Sequence, residues 1–204
     1  MDKWVAIIPA KGHSDAVSRK NLQDLGGMPL YWHSVRYARA EGVEPVVSTD
    51  DAEIKRYAQE RGCRVVDEIV DDSNMIHCVR QVLDQVDADR YVILQPTSPL
   101  RPPGLLGRMT GLEADCAVTV ARIKVCGYLD GRWITQARRQ DAVHWLHQID
   151  GSVLTGTRAM ADAGRLFTAA PAMIEQDMPW SLQVDSWQQL QTIRQIYDHL
   201  HCRQ

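Results

Sequence analysis

Short apolar runs alternate with amphipathic, helix-like segments through the first 120 residues of the chain. Residues 4–8 form an unbroken apolar run, which is typical of a strand buried on both faces of a parallel sheet. Strands that alternate with helices indicate an α/β fold, a doubly wound and mainly parallel sheet with helices on both faces. Further strands are predicted at residues 45–48, 64–66, 91–94 and 116–120, and helices at residues 30–41, 50–62, 73–86 and 104–112.

The hydrophobic pattern changes after residue 122. Residues 125–128 and 132–135 look like the two strands of a hairpin, joined by a tight turn at Asp130-Gly131. Residues 152–155 form another short apolar strand. We therefore expect a small antiparallel excursion around residues 123–170, with a role in oligomer contact and in walling a ligand pocket.

The last part of the chain is expected to return to the main sheet. Residues 182–185 alternate apolar and polar positions, and Ser186 with Gln189 has the spacing of a capping box that starts a final helix. We find no internal repeat and no linker. At 204 residues and 23.1 kDa, the chain is expected to form one domain over residues 1–204.

Composition and charge limit the functional classes. The net charge of −3 argues against a general nucleic-acid-binding protein, which is usually basic. No apolar run reaches membrane-spanning length and the N-terminus lacks the apolar region of a signal peptide, so no membrane partner is expected. The five cysteines are an odd number without CxxC spacing, so we expect reduced, structural thiols and a cytoplasmic location.

A loop rich in small and cationic residues follows the first strand. It contains Gly12, Ser14 and the cations Lys11, Arg19 and Lys20. Small residues let backbone N–H groups approach phosphate oxygens, and cations offset phosphate charge. The composition is suited to a triphosphate, although a solvated basic loop at a sheet edge would look the same.

Two more polar segments follow predicted strands. They are residues 48–50 and residues 95–101. In open α/β sheets, ligands bind outside the carboxyl ends of the strands. The pattern therefore brings these segments and the cationic loop to one edge of the sheet.

Several motifs in these loops resemble those of one enzyme family. Residues 8–14, which read IPAKGHS, and the following Lys20-Asn21 resemble the signature IPARGGS…KN without a gap, and residues 94–101 match the segment LQPTSPLR residue for residue. Weaker matches in the same order are residues 25–30 (L-x-G-x-P-L), 48–50 (STD), 139–140 with 150–151 (RQ…NG) and 182–185 (IDID). This family is the acylneuraminate cytidylyltransferases, the CMP-sialic acid synthetases and their relatives, with the CMP-Kdo synthetases as cousins.

The resemblance implies a Rossmann-like nucleotidyltransferase fold and a single cytidylyltransferase domain. It also implies that an acidic acceptor, such as a sialic or other nonulosonic acid, attacks the α-phosphate of CTP and that pyrophosphate leaves. The implied cofactor is Mg²⁺ or another divalent cation. A homodimer is expected, because dimers are common in the family.

The resemblance also assigns roles to individual residues. Lys20, Lys11 and Gln95 are the catalytic candidates, and Lys11 replaces an arginine of the family, which keeps the charge but loses the bidentate fork. The expected substrate-binding residues are Ala10, Gly12, Ser14, Arg19, Asn21, Ser73, Ser98, Arg101, Arg139 and Gln140. Two alternatives stay open: Arg101 suits a structural ion pair equally well, and Arg139 with Gln140 suits a solvated polar run.

Asp185 and Gln183 are the candidate metal ligands. The family has two aspartates two residues apart here, and Gln183 takes the place of the first. An amide oxygen can bind Mg²⁺ but brings no charge. Asp185 is equally suited to capping the last helix, and helix capping is the favoured role of Asp50. His144 and His147 are interpreted as surface or pocket-wall residues, since no third metal ligand lies nearby.

The departures from the family concern the acceptor and the base. The family carries an Arg-Pro after its third strand, and residues 66–73 lack it. The family's NGAIY segment reads Asp150-Gly151-Ser152-Val153-Leu154, which loses an aromatic wall. The alternative acceptor is therefore a small phosphonic acid of natural-product biosynthesis. A second alternative is a non-catalytic, nucleotide-binding protein.

Overall fold

The chain folds around a twisted sheet with helices on both faces. The computed structural model describes residues 2–67, 74–124, 127–129, 132–135 and 145–201. Its strands are β1 (Trp4–Pro9), β2 (Asp24–Leu25), β3 (Met28–Pro29), β4 (Glu44–Thr49), β5 (Arg64–Asp67), β6 (Arg90–Ile93), β7 (Ala117–Lys124), β8 (Gly127–Leu129), β9 (Arg132–Thr135), β10 (Trp145–Thr157) and β11 (Ala172–Glu175). Its helices are α1 (Leu30–Ala40), α2 (Ala52–Glu60), α3 (Met75–Leu83), α4 (Leu105–Thr110), α5 (Arg158–Asp162) and α6 (Trp187–His201).

The main sheet has seven strands in the order β11-β7-β10-β6-β1-β4-β5. β1 lies near the centre and pairs in parallel with β4 and β6, while β5 pairs in parallel with β4. Successive residues of β1 point to opposite faces: Ala6 and Ile8 pack with α1, α2 and α4, and Val5 and Ile7 pack with α3 and α5. The predicted doubly wound, mainly parallel sheet is therefore confirmed.

The antiparallel part differs from the prediction in one respect. β8 and β9 form the expected hairpin, a separate two-stranded sheet. The predicted short strand at residues 152–155 is instead the end of the 13-residue β10, which enters the main sheet antiparallel between β6 and β7. The prediction was too short because the first half of β10 is exposed and its apolar residues are interrupted by His147 and Gln148, so it lacks the continuous apolar run that marks a buried strand.

Two further predictions about elements were wrong. Residues 182–185 do not form a strand, and the strand that returns to the sheet is β11, which pairs in parallel with β7. The N-cap of α2 is Asp51 and not Asp50, since the Asp51 carboxylate accepts from the N–H groups of Glu53 and Ile54. The start of α6 is as predicted: Ser186 Oγ accepts from Gln189 N–H, and Gln189 Oε1 accepts from Asp185 N–H. Among the described residues, no helix is both long and apolar enough to cross a membrane.

Candidate active site

A cavity of about 490 Å³ opens at the carboxyl ends of β1 and β6, beside the first turn of α3. Five of the sequence-predicted site residues line it: Lys11, Ser14, Lys20, Asn21 and Gln95. The other lining residues were not among the predicted site residues. They are Pro9, His13, Asp15, Ala16, Asn74, Met75, Cys78, Pro96 and Thr97. The parallel strands thus bring the 11–21 loop and the 95–97 segment together, as the sheet topology requires.

Hydrogen bonds to neighbouring segments hold the 11–21 loop in place. Asn21 Nδ2 donates to the carbonyl oxygen of Lys11 at 2.8 Å, which ties the two ends of the loop. Ala10 is fully buried, with its N–H bonded to Ser48 and its carbonyl oxygen bonded to Thr49 Oγ1. Ala10 therefore acts as a backbone anchor of the loop, and the expected substrate contact of Ala10 is absent from the described cavity.

Gly12 lies against the junction of β4 and α2. Its N–H donates to Asp50 Oδ1 at 2.7 Å, and a Cβ built on Gly12 would come within 2.7 Å of the Asp51 Cβ. Only glycine allows this close approach. The Gly12 N–H, which was predicted to bind phosphate, is occupied by Asp50, so here the glycine serves the packing of the loop.

Arg19 departs from its predicted role. Its guanidinium pairs with Asp51 at 3.1 Å and Glu53 at 3.0 Å, and Arg19 is not among the residues that line the cavity. Burial opposes the charge of Asp51, but hydrogen bonds from the Ile54 and Glu53 N–H groups and from Arg19 outweigh it and lower the pKa of Asp51. In this arrangement Arg19 stabilises the α2 cap and lies outside the lining of the first cavity.

Lys20 connects the cavity to the C-terminal part of the site. Its side chain is only 15% exposed, and its Nζ lies 3.8 Å from Asp185 Oδ1. Asp185 lines a second cavity of about 240 Å³, together with Ala121, Ile123, Gln148, Asp150, Ser181, Leu182, Gln183 and Gln189. The two candidate metal ligands, Gln183 and Asp185, thus lie in this second cavity, next to the lysine of the first.

The boundary between the two cavities is formed by a glycine and two amides. Gly151 has a φ of +69°, and a Cβ on it would lie 2.7 Å from Gln95 Oε1 and 3.1 Å from Gln183 Nε2. Gln95 lines the first cavity and Gln183 the second. Gln183 Nε2 also donates to the carbonyl oxygen of Asp150. The Gly151 turn therefore lets two amide side chains meet where the cavities adjoin.

Arg101 lies behind this boundary and not in it. It is 7% exposed and donates to the carbonyl oxygens of Ser152 and Gln95 and to Ser34 Oγ, at 2.7–3.1 Å. Burial lowers its pKa to about 10, and Tyr37 and Asp150 partly oppose that shift. Ser98 is also buried and donates to the Asp150 carbonyl. Both residues were expected to bind substrate, but these positions make them structural, as the open alternative for Arg101 allowed.

Asp150 anchors the same turn from the other side. Its carboxylate is 3% exposed and accepts from Thr119 Oγ1, from the Ser152 N–H and from Gln176 Nε2, at 2.5–2.9 Å. Since its bonds are satisfied inside the protein, Asp150 is an anchor of the turn.

Three predicted site residues cannot be placed. Ser73, Arg139 and Gln140 lie outside the described residues. Within the described ranges, no group of three or more His, Cys, Asp or Glu side chains forms a metal site. Asp185 is 57% exposed beside Lys20, so one carboxylate with an adjacent amide fits Mg²⁺ only where substrate phosphates supply the other oxygens.

The chain is similar in sequence to a known protein family and to individual proteins. A sequence profile described as Cytidylyltransferase matches residues 5–111. A CMP-N,N'-diacetyllegionaminic acid synthase from Legionella pneumophila is 37% identical over 111 residues, which cover 48% of this chain and 48% of the relative. A 3-deoxy-manno-octulosonate cytidylyltransferase from Escherichia coli is 31% identical over 126 residues, covering 60% of this chain and 51% of the relative. The chain thus matches about half the length of these curated relatives.

Solved structures are similar over nearly the whole chain. A CMP:2-keto-3-deoxy-manno-octonic acid synthetase complexed with CTP has a TM-score of 0.73 at 20% identity, covering 97% of this chain and 99% of that chain. A 4-diphosphocytidyl-2C-methyl-D-erythritol synthase from Anaerococcus prevotii has a TM-score of 0.68 at 10% identity, covering 96% of this chain and 98% of the other. At such identities the similarity shows the fold alone, a nucleotidyltransferase α/β fold. With the sequence match over residues 5–111, the chain belongs to the cytidylyltransferase family.

Proposed function

We propose that this protein is a CTP-dependent cytidylyltransferase that forms a CMP-linked sugar acid and releases pyrophosphate. The observation that carries the proposal is the junction of the two cavities, where Lys20 of the first lies 3.8 Å from Asp185 of the second. A transfer between two substrates needs two adjoining sites with the charge-bearing groups at their boundary. CTP would occupy the first cavity, and the acceptor would occupy the second.

The nucleotide assignment rests on the chemistry of the first cavity. Lys11 and Lys20 line it, as do the Ser14 hydroxyl and the amides of Asn21 and Gln95. Cations and hydrogen-bond donors on one loop suit a polyphosphate. The relatives named above are a CMP-linked acid synthase and a cytidylyltransferase, and these names support CTP as the nucleotide.

The acceptor assignment rests on the second cavity. The described residues that line it include three amides, Gln148, Gln183 and Gln189, and the Ser181 hydroxyl, but no cation. Amides and hydroxyls recognise hydroxyl groups, which a sugar acid has in number and a small phosphonic acid lacks. The second cavity therefore favours a sugar acid over the phosphonate alternative. The acid group of the acceptor is proposed to bind Arg139 and Gln140, as the family resemblance implies.

The proposed reaction joins an acceptor oxygen to the α-phosphorus of CTP and breaks the bond from that phosphorus to the pyrophosphate oxygen. Lys20 and Lys11 would hold the phosphate oxygens and offset the charge that moves onto pyrophosphate. Gln95, at the Gly151 boundary, would orient the acceptor against the α-phosphate. When bound, Mg²⁺ would neutralise phosphate charge, with Asp185 and Gln183 as its protein ligands.

We also propose that the protein is a cytoplasmic homodimer. The ribbon of β7 and β10 exposes Ile123, Trp145, Leu146 and Ile149, each more than a third exposed. Such exposed apolar side chains on neighbouring strands suit a contact with a second copy. The cysteines within the described residues, Cys63, Cys78 and Cys116, form no disulfide, which supports a reducing compartment.

The experiment that tests the function is pyrophosphate release with Mg²⁺, in which four nucleoside triphosphates are crossed with nonulosonic acids, Kdo and small phosphonates. Release with CTP and one sugar acid is the expected result. Release with a phosphonate alone would contradict the acceptor assignment. Absence of CTP binding by calorimetry would contradict the function and favour the non-catalytic alternative.

The metal assignment makes a separate prediction. Asp185→Asn should raise the Mg²⁺ concentration for half-maximal activity about tenfold or more, because a carboxylate ligand is replaced by a neutral amide. The exposed Asp198→Asn on α6 is the control and should leave the Mg²⁺ dependence unchanged. An Asp185→Asn enzyme with the wild-type Mg²⁺ dependence would exclude Asp185 as a ligand.

A further inference from the structure

A histidine–aspartate pair lies on the rim of the first cavity. His13 and Asp15 both line the cavity, and His13 Nε2 lies 2.8 Å from Asp15 Oδ1. The His13 side chain is 85% exposed and the Asp15 side chain 98% exposed, so neither is fixed by packing. The resembled signature IPARGGS has glycine where this chain has His13. The pair is therefore an addition to the phosphate loop that packing does not require.

We propose that His13, held by Asp15, binds the β- and γ-phosphates of the nucleotide and the pyrophosphate that leaves. This inference rests on the proposed function, since it adds a contact to the same triphosphate site. His13 stands in the loop between Lys11 and Ser14, and all three line the cavity. The histidine thus belongs to the group of side chains that would surround the phosphates and not to the second cavity.

The chemistry of the imidazole ring supports a phosphate contact. In a protonated ring both nitrogens donate, so Nε2–H can remain on Asp15 while Nδ1–H bonds a phosphate oxygen. The resulting charge-assisted hydrogen bond offsets part of the charge that develops on pyrophosphate. No covalent step is needed: the bond between the acceptor oxygen and the α-phosphorus forms, and the bond to pyrophosphate breaks, as described above.

The charges around the pair are consistent with anion binding. Among the described residues that line the cavity, Lys11, Lys20 and His13 can carry positive charge, and Asp15 is the one carboxylate. Asp15 Oδ1 faces His13 Nε2, and Lys20 Nζ lies 3.8 Å from Asp185 Oδ1. His13 therefore adds a third side chain, at the rim, to the two lysines that would hold the phosphate oxygens.

The test is the binding of inorganic pyrophosphate, measured by calorimetry with MgCl2, to the wild-type protein and to His13→Gly. The glycine of the resembled family should weaken pyrophosphate and CTP binding about tenfold, because one charge-assisted hydrogen bond is lost. CMP lacks the β- and γ-phosphates, so its affinity should change less than about twofold. His13→Arg should restore pyrophosphate binding, and the exposed His199→Asn on α6 is the matched control.

The outcomes separate this inference from the proposed function. Equal pyrophosphate affinity in the wild-type protein and His13→Gly would overturn the inference while leaving CTP chemistry intact. An equal loss for CMP and CTP would also overturn it, because the effect would not depend on the far phosphates. Pyrophosphate binding that needs His13 in a protein that binds no CTP would support the inference and overturn the proposed function. His13→Asn, which adds no glycine to the loop, repeats the comparison if His13→Gly unfolds at a lower temperature.

Discussion

The two cavities of the site differ in how the chain builds them. The first is formed by loops that directly follow strands β1 and β6, and its cations come from one stretch of sequence, residues 11–21. The second gathers side chains from β7, β10, the segment before α6 and α6 itself, within residues 121–189. The first contains two lysines, whereas the described lining of the second contains amides and carboxylates. The comparison indicates that the cations of the first cavity come from one local loop, while the lining of the second cavity depends on the register of β10.

Lys20→Ala should have the largest effect, because Lys20 serves both cavities. Loss of the cation that lines the first cavity and contacts Asp185 should lower turnover about 10³-fold, with little change in the free energy of unfolding. Steady-state pyrophosphate release measures the first quantity and urea unfolding the second. The control is Lys55→Ala, whose exposed partner is Asp67, 2.6 Å away. A Lys20→Ala enzyme with turnover within tenfold of wild type would contradict the role assigned to Lys20 at the junction of the two cavities.

Arg101→Met tests whether Arg101, which donates to the carbonyl oxygens of Gln95 and Ser152, supports the boundary between the two cavities. It removes four hydrogen bonds of a buried side chain and leaves their acceptors unsatisfied, at a cost of about 3 kcal/mol in the free energy of unfolding. Urea unfolding at pH 7 measures it, and the exposed Arg108→Met on α4 should change stability by less than about 0.5 kcal/mol. A loss of unfolding free energy below about 1 kcal/mol for Arg101→Met would show that Arg101 does not support the boundary between the cavities.

Gly151→Ala tests the boundary itself, and Gly164→Ala is its matched control. The two glycines have φ values of +69° and +70°, so both substitutions strain the backbone by about 1 kcal/mol. Only the Cβ at position 151 meets Gln95 and Gln183, whereas nothing lies within 4 Å at position 164. We expect both variants to lose similar stability, measured by thermal unfolding, and only Gly151→Ala to lose turnover, by about tenfold. Equal turnover in the two variants would contradict the assigned boundary.

Asp51→Asn tests the N-cap of α2, which packs against Gly12 in the loop of the first cavity, and it has the smallest expected effect. The pKa of Asp51 is lowered in the folded protein, so its ionised form stabilises the fold above the ordinary Asp value of 3.8, and this stabilisation is lost as pH falls below it. Asn still caps a helix, so the variant should lose only the contribution of the charge, about 0.5 kcal/mol at pH 7, and the difference should shrink below pH 3.8. Urea unfolding at pH 7 and pH 3 measures the difference, with Asp198→Asn as control. A difference that is independent of pH would exclude a contribution from the charge of Asp51.

The sequence predicted the first cavity better than the second for a physical reason. Apolar runs mark buried parallel strands, and the loops after them meet at one edge, so Lys11, Lys20, Asn21 and Gln95 could be brought together without coordinates. The path of β10 could not be predicted, because its first half is exposed and its apolar residues form neither a continuous run nor a regular alternation. Hydrogen-bond partners could not be predicted from the sequence either. Tertiary contacts decide that Asp51 and not Asp50 caps α2, and they decide that Arg101 is buried.

The residues missed in the first cavity differ in how they could have been found. His13 and Asp15 stand inside the motif that was recognised, and their i,i+2 spacing was visible beside the phosphate loop. Asn74, Met75 and Cys78 come from the N-cap and the first turns of α3, which begins at Met75, two residues after the predicted start at residue 73. Their approach to the cavity follows from the packing of α3 on the sheet, which no local pattern encodes.

The most direct test of the account is to follow the phosphorus atoms of CTP. With the sugar acid identified by the panel, CTP labelled with ³²P at the α position is incubated with the protein and Mg²⁺, and a parallel reaction uses CTP labelled at the γ position. The account predicts that the α label appears in a CMP-linked acid and the γ label in pyrophosphate. Transfer of the γ label to the acceptor, or release of both labels without any acceptor product, would contradict a cytidylyl transfer between the two cavities.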